Sequence, residues 1–562
     1  MERKTYRCLL ISDFTIDNFA GLLSNDEKSP EIETFIAPFG QIMPVLIDEN
    51  NDCWKREYDF VVIWSQPQAV MEAFDDVLQF KMIDTDKLFS EIDNYLSVLS
   101  NVCGRVPTVF LPTWMLPSYN RGFGILDMDP SYGISAILMK MNLRLAEYFS
   151  EFPNVFVLDS HKWAHKAGKA AFNPKMWYMG KIPFSNELFS EAVEDIKAAI
   201  NGINGMAKKL VITDLDDTLW GGIVGDDGWE NINLGGHDAK GEAFVDFQKC
   251  LKSLTNRGIL LGIVSKNEEK TALEAIEKHP EMVLKKNDFA GWKINWNDKA
   301  QNIVDLVSEL NLGLQSVVFL DDNPVERDRV RASLPEVLVP ELPRDKMLYV
   351  STLQSLRCFD APSLSQEDLK RAEMYQCERK RTELKNDFGS VEDWLRTLQL
   401  KIKIEKIKST NIERTTQLLN KTNQMNLSTR RLTIDEILEW DKNKDTWLRT
   451  FRVLDKFGDS GLTGIVSLMK KGNKAQIIDF ILSCRVMGRR IEEIMVYYAI
   501  EQARKLGVEE MYADYKITKK NKPCFDFWLH SGFEYDEKLN RFSWSMEKNY
   551  SIHDFATVEI DD

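Results

Sequence analysis

Short apolar runs alternate with helical patterns over the first two hundred residues. "YRCLLISDF", "EIETFIAPFG", "YDFVVIWSQ", "VPTVFLPTW" and "NVFVLDS" have the length and apolar density of buried strands. Between and after them, "DTDKLFSEIDNYLSVLSN", "ISAILMKMNLRLAEYFSEF" and "SNELFSEAVEDIKAAINGI" place apolar residues at helical spacing. Such alternation predicts a parallel sheet covered by helices. "NGINGMAKK" (201–209), rich in Gly, Asn and Lys, predicts a seam between domains. A second alternating unit follows, in which "LVITDLDD", "GILLGIVSKN" and "SVVFLDDN" are apolar strands that each end in polar or charged residues. Helical stretches such as "GEAFVDFQKCLKSLTNR" and "KAQNIVDLVSELNL" separate them. "SQEDLKRAEMYQCERKRTELKNDFGSVEDWLRTL" predicts charged connecting helices with a solvated face. The last part reads as consecutive strands, "KIKIEKI", "TWLRTFRVLDKF", "GLTGIVSLMKKG" and "KAQIIDFILSC", then helix, strand and helix, which is an α+β pattern.

The expectation is therefore an α/β chain. Two consecutive parallel-sheet α/β domains occupy 1–205 and 206–362, a charged helical connector 363–399, and an α+β domain 400–550. A length of 562 residues exceeds what one core supports. The net charge of −15 argues against a general binder of nucleic acid or anionic membrane. Eight cysteines without a C-x-x-C pair fit reduced thiols, hence a cytoplasmic setting, and Cys484 reads as a core residue. The N-terminal stretch lacks a signal-peptide pattern, and no segment offers the roughly 18 continuous apolar residues of a membrane span.

Candidate chemistry gathers at the strand ends. In "TDLDDTLWGG" Asp214 and Asp216 follow the first strand of the second unit, with Leu215 pointing the other way. Ser265, Lys266 and Asn267 follow its second strand, and Asp321 and Asp322 its third. Ligands of parallel sheets bind at the carboxyl ends of the strands, so these tails should converge on one crevice. Crowded carboxylates raise one another's pKa and call for a cation. A hard divalent ion, Mg2+, suits such oxygens together with a substrate phosphate. One carboxylate can attack phosphorus while a second handles protons. A lone D-x-D also serves as a cap or turn. The conjunction of D-x-D-x-T, S-K-N, a lysine and D-D argues for a site.

This conjunction resembles the haloacid dehalogenase (HAD) superfamily of phosphotransferases. The resemblance implies Asp214 as nucleophile and Asp216 as general acid/base, with the backbone carbonyl of Asp216 also on Mg2+. It implies that Thr218 and Ser265 orient the phosphate and that a lysine balances its charge. Lys299 in "NWNDKAQNI" and Lys293 compete for that role, and Lys299 is preferred because it opens the helix leading into the last strand. Asp322 would be the metal ligand from that strand, with Asp321 in support.

"TLWGGIVGDDGWENINLGG", "LGIVSKNEE", "VFLDDNPVERDRVRASLPEV" and "SCRVMGR" narrow the resemblance to the FkbH-like proteins, HAD subfamily IIIC. In that family an SGNH-hydrolase-like region precedes the HAD/Rossmann-like unit and a GNAT-like acyltransferase region follows it. The family implies transfer of a glyceryl-type acyl group from a phosphorylated small-molecule donor to the phosphopantetheine thiol of an acyl carrier protein, in polyketide or surface-polysaccharide biosynthesis. No nucleic-acid or membrane partner is implied. This sequence departs at Leu215, where glyceryl-loading members commonly carry a cysteine that holds the acyl group. An alternative is a GNAT-type N-acyltransferase acting on an amino sugar, with the HAD unit as phosphatase or scaffold.

The flanking regions carry weaker signals. "ILSCRVMGRRIEE" resembles the R-x-x-G-x-G/A pyrophosphate loop of GNAT enzymes. Arg485, Gly488 and Ile491 fit its start, and Arg490 replaces the small final residue. The loop would bind acyl-CoA or carrier-bound phosphopantetheine, unless it is a structural relic. Near the N-terminus, Ser12 and Asp13 fall where an SGNH hydrolase has its nucleophile block, with Asp159, His161 and His165 near the block that supplies Asp and His. Lys162 breaks the D-x-x-H spacing, so the histidines read as surface or capping residues and no hydrolysis is assigned.

Overall fold

The computed structural model describes residues 5–81, 84–236, 238–363, 374–375, 377–378, 381, 384–385, 388–422, 424–518, 521–552 and 554–561. The chain divides into two compact units, one of Met1–Ala207 with Leu356–Pro362, the other of Lys208–Ser355 with Ser363–Asp562.

In the first unit β1 (Thr5–Ser12), β2 (Glu31–Ile36), β3 (Phe60–Trp64), β4 (Val109–Pro112) and β5 (Val155–Leu158) form one parallel sheet in the order β2-β1-β3-β4-β5. Every residue of β3 is buried, because helices cover both faces. Successive side chains of a strand point to opposite faces. Accordingly Leu9 and Ile11 join a core with the helices Thr85–Ser100 and Ile134–Phe149, while Cys8 and Leu10 join the other core, with Asp17–Asn25 and Asn186–Ile203. At the heart of the latter, Trp64 stacks on Phe184 at 5.0 Å and meets Phe14, Phe19 and Phe189 edge-on. The returning segment 356–362 is held by Arg357, which pairs with Glu194 at 2.5 Å, Asp195 at 2.7 Å, and Glu191.

The second unit holds two sheets. In the first, β6 (Leu210–Thr213), β7 (Leu260–Ser265), β8 (Phe289–Ile294) and β9 (Val317–Leu320) are parallel in the order β8-β7-β6-β9. All residues of β6, β7 and β9 are buried, as expected of the three apolar runs. β8 was not expected. It is the edge strand, half-buried, and its "FAGWKI" mixes Gly, Trp and Lys. The chain order reverses at β6, which opens a crevice at its carboxyl end.

The second sheet has the order β16-β17-β15-β14-β13-β12-β10-β18, with β11 on β14. An antiparallel meander of β12 (Thr446–Asp455), β13 (Gly458–Lys471) and β14 (Lys474–Leu482) forms its centre, and the helix Ile491–Lys505 leads to β15 (Glu510–Asp514), parallel to β14. The α+β character is as expected. Two helices, Ile412–Lys421 and Ile434–Lys442, and the two-residue β11 (Met425–Asn426) intervene between β10 (Leu400–Glu405) and β12, where consecutive strands had been read. β16 (Glu534–Asp536), β17 (Arg541–Ser545) and β18 (Ala556–Asp561) complete the sheet. These short, partly exposed strands depend on their neighbours more than on their own apolar content. Much of the expected connector lies outside the described residues; its described helix, Val391–Leu398, buries Trp394, Leu395 and Leu398. No helix among the described residues is long and apolar enough to cross a membrane.

Phe189 is fully buried in the aromatic cluster around Trp64. Phe189→Ala should destabilise the first unit by about 3–5 kcal/mol through the cavity it leaves. Urea unfolding followed by tryptophan fluorescence measures this, and a loss below about 1 kcal/mol would contradict the packing described.

Candidate active site

The parallel register of β6 and β9 builds the site. Thr213 pairs with Leu320, so Asp214 and Asp321, the next residues of each strand, stand side by side. The amide of Asp214 donates to Leu320 O at 2.9 Å, which continues the ladder one residue further. Two buried carboxylates at this spacing repel, and Lys299 resolves the conflict. It opens the helix Lys299–Glu309 after the cap residue Asp298, whose carboxylate accepts from Ala300 N. Its Nζ lies 2.7 Å from Asp214 Oδ2 and 2.6 Å from Asp321 Oδ2, with only 3% of the residue exposed. Burial works against the charge of Lys299, but the two carboxylates outweigh it and hold the ammonium well above its ordinary pKa. Burial and the charge of Asp214 push the Asp321 carboxyl upward. Asp322 is raised by burial too, against the nearby Lys346.

Carboxylate oxygens of Asp214, Asp321 and Asp322 lie within 4.8 Å of one another. Oδ1 of Asp214 is buried and has no hydrogen-bond partner. Asp321 is more committed, since Oδ2 takes Lys299 and Oδ1 accepts from Asn323 N at 2.9 Å. Three carboxylates against Lys299 and Lys346 leave one negative charge over. That donor set and the orphaned oxygen fit a hard divalent cation such as Mg2+.

The other expected residues are distributed around this centre. Asp216 is not one of the trio. Its Oδ1 accepts from Trp220 Nε1 (2.9 Å) and Val224 N (3.1 Å), and its Oδ2 from Asn267 Nδ2 (2.8 Å). Burial raises its pKa against these three donors. Thr218 is fully buried, and its hydroxyl accepts from Asp322 N at 3.1 Å, which fixes the second aspartate of the pair. Ser265 is buried at the end of β7. Lys293 belongs elsewhere, its Nζ paired at 2.5 Å with Glu309, the last residue of the helix Lys299–Glu309. Leu215 is completely buried.

Two residues of the site escaped the sequence. Lys346 Nζ donates to Asp217 O at 2.6 Å and lies 3.3 Å from Asp322 Oδ2 and 3.0 Å from Tyr349 OH. It thereby braces Asp217, whose φ of +52° is left-handed. Arg327 donates from Nη1 to the carbonyls of both Asp321 and Asp322, each at 2.8 Å. Lys346 has no motif around it. Arg327 lies within the quoted "VFLDDNPVERDRVRASLPEV", one and a half turns beyond "DD", but the sequence alone assigned it no role.

The weaker candidate residues do not assemble. Ser12 is buried and exchanges hydrogen bonds with the backbone of Phe14 at 3.0 Å. Asp13 accepts from Gln66 N at 2.7 Å, and burial pushes its carboxyl up to about 6. Asp159 caps the helix Ser160–Ala167 through His161 N, and His165 contacts His161 O on its exposed face. Among the described residues no hydrogen bond joins these histidines to Ser12. Arg485 reaches Met374 Sδ at 3.2 Å and lines a cavity of about 580 Å³. Gly488 has φ +77° and Arg490 φ +57°. The side chain of Cys484 lies outside the described ones.

A solved structure of the N-terminal part of the protein BF1531 from Bacteroides fragilis, containing a phosphatase domain and complexed with Mg, is 31% identical to this chain. The match covers 64% of this chain and 95% of that one, with a TM-score of 0.58. PaiA N-acetyltransferase from Thermoplasma acidophilum in complex with coenzyme A matches over 26% of this chain and 98% of its own, at 19% identity and a TM-score of 0.21. Spermidine N-acetyltransferase from Vibrio cholerae with CoA and spermine matches over 27% of this chain and 97% of its own, at 17% identity and a TM-score of 0.21. No protein-family model matches the chain, and no curated protein does.

The two aspartates of the pair should separate on mutation. Asp321→Asn removes one partner of a buried ion pair and should cost about 3–5 kcal/mol of stability. Asp322→Asn should leave the melting temperature nearly unchanged and raise the Mg2+ concentration needed for half-maximal activity about tenfold. Thermal melts and Mg2+ titrations of both variants check this; the reverse assignment would make Asp321 the principal ligand.

Proposed function

This chain belongs to the family of the Bacteroides fragilis protein BF1531, and from that premise we propose that it is an Mg2+-dependent phosphotransfer enzyme of the FkbH-like HAD type. The observation that carries the reading is the buried, unpartnered Oδ1 of Asp214 beside two further carboxylates and a lysine. Asp214, Asp322 and Asp321, with the backbone carbonyl of Asp216, would hold Mg2+, which when bound neutralises charge on the transferring phosphoryl group.

The chain's own residues do the rest. Lys299 pairs with Oδ2 of Asp214 and aims its carboxylate. Asp214 attacks phosphorus: a carboxylate O–P bond forms, the bond to the leaving oxygen breaks, and that oxygen keeps the electron pair. Asp216, whose carboxyl is raised by burial, gives the leaving oxygen its proton and takes one back from the water that opens the aspartyl-phosphate. Thr218 holds Asp322 in place through its amide, and Ser265 orients the phosphate from the end of β7.

The substrate class we propose is a phosphorylated acyl donor, with an acyl carrier protein as acceptor, in polyketide or surface-polysaccharide assembly. Two outcomes differ in the bond that breaks. Attack by Asp214 at phosphorus releases the acyl group as a carboxylate. Attack by a thiolate at the carbonyl carbon forms a thioester and releases inorganic phosphate. Leu215 offers no sulfur between the two aspartates, so the second outcome requires the thiol of the carrier itself.

Asp214→Asn keeps the size and removes the attacking charge, and should lower phosphate release by at least about 10³-fold. Phosphate assays with and without EDTA measure this, and full activity in the variant would remove Asp214 from the nucleophile role. With 1,3-bisphosphoglycerate the protein should release phosphate without acquiring a glyceryl adduct. Intact-protein mass spectrometry, with and without a holo carrier protein, reads both products. An adduct mapped to Cys484 or Cys250 would show that another cysteine takes the acyl group, against the direct transfer proposed.

A further inference from the structure

β14 runs straight into the loop 484–490 that resembles an anion-binding turn. A ligand with its diphosphate on that loop and an amide-bearing arm reaching toward the sheet must lie along the last residues of β14, on the edge away from β13. That edge is free of β15, because the parallel pairing ends at Ile477↔Ala513. Unpaired strand edges accept such arms by backbone hydrogen bonding.

The edge already has a partner. β11 pairs antiparallel with it, Met425 opposite Leu482 and Asn426 opposite Ile481. Leu427 N donates to Phe480 O, and Leu427 O accepts from Lys516 N beyond β15, both at 3.2 Å. The segment thus bridges the gap between the diverging strands. It is pinned there by side chains. Ser428 Oγ donates to Asp479 Oδ1 at 3.0 Å, Arg430 Nε donates to the same oxygen at 2.8 Å, and Asn521 Nδ2 donates to Asn426 O at 3.0 Å. Asp479 is wholly buried, and Arg430 also lies over Trp440 at 4.1 Å.

The loop is also held by partners of its own. Arg489 Nη2 donates to Arg485 O at 2.7 Å within it. Arg490 is paired with Glu392 at 3.3 Å and Glu493 at 3.7 Å.

We propose that the C-terminal module carries its own chain in place of a pantetheine-bearing cofactor, with residues 425–427 in the position of the amide arm. The slot is closed in cis, and the module takes no acyl-CoA at this loop. This does not depend on the phosphotransfer reading. It removes the N-acyltransferase alternative and leaves thioester chemistry to the carboxylate centre.

Hydrogen exchange and thermal melts of the full-length protein, with and without millimolar acetyl-CoA, test the closure. Slow exchange at 425–427 and 480–482 is expected, together with an unchanged melting temperature and no new protection at 485–490. A rise in melting temperature, protection of 485–490, or fast exchange at 425–427 before any addition would overturn it. Leu427→Pro removes the amide that donates to Phe480. This variant should gain acetyl-CoA binding by calorimetry. A variant with a native circular-dichroism spectrum that still ignores acetyl-CoA would show that other groups close the slot. If the variant does not fold, the wild-type exchange and melting arms decide.

Discussion

The ammonium of Lys299, held between Asp214 and Asp321, is the interaction on which the second unit's crevice depends. Strand register forces those two carboxylates together, and burial magnifies their repulsion. A buried pair stripped of one partner leaves an uncompensated charge costing several kcal/mol. The lysine can stand there only because it is the first residue of a helix whose remaining length packs against β7 and β8 and leads into β9. The geometry of the crevice and its local stability therefore rest on the same three side chains.

Around that pair the remaining groups divide into those that hold and those that wait. Arg327 and Thr218 fix the backbone of Asp321 and Asp322, and Lys346 fixes the left-handed turn at Asp217. Asp214 Oδ1 alone among these oxygens is buried without a donor. A buried acceptor left unpaired carries a desolvation cost, so its retention marks the direction in which a ligand is received.

The same criterion separates the two candidate sites of this unit. At the carboxylate centre an acceptor lacks a partner within the chain. At the loop after β14 the Arg490 guanidinium and the strand edge at 480–482 each have an internal partner. A motif reports which residues could receive a ligand; only the partners of its polar groups report whether the place is taken. The likeness of "CRVMGRR" to an anion loop is local, whereas the residues that cover the strand edge leading into it come from positions 425–427.

Sequence by itself determined the parts governed by local physics. Continuous apolar runs had to become buried parallel strands, and β6, β7 and β9 lie where those runs stand. The polar tails of those strands had to meet at one end of the sheet, which brings Asp214, Asp321 and Asp322 together. The choice of Lys299 over Lys293 followed from its place at a helix start, and Lys293 faces Glu309 instead. Tertiary structure decided what depends on partners distant in the chain. The Asp216 carboxylate is held by Trp220, Val224 and Asn267, 4, 8 and 51 residues away. Lys346 enters the site from 24 residues beyond Asp322. β8, β11 and β18 exist because a neighbouring strand offers an unpaired edge, and their own residues carry too little apolar periodicity to announce them. An apolar run carries its own driving force, but an edge strand, a carboxylate rotamer or a filled slot takes its free energy from groups that only the folded chain brings near.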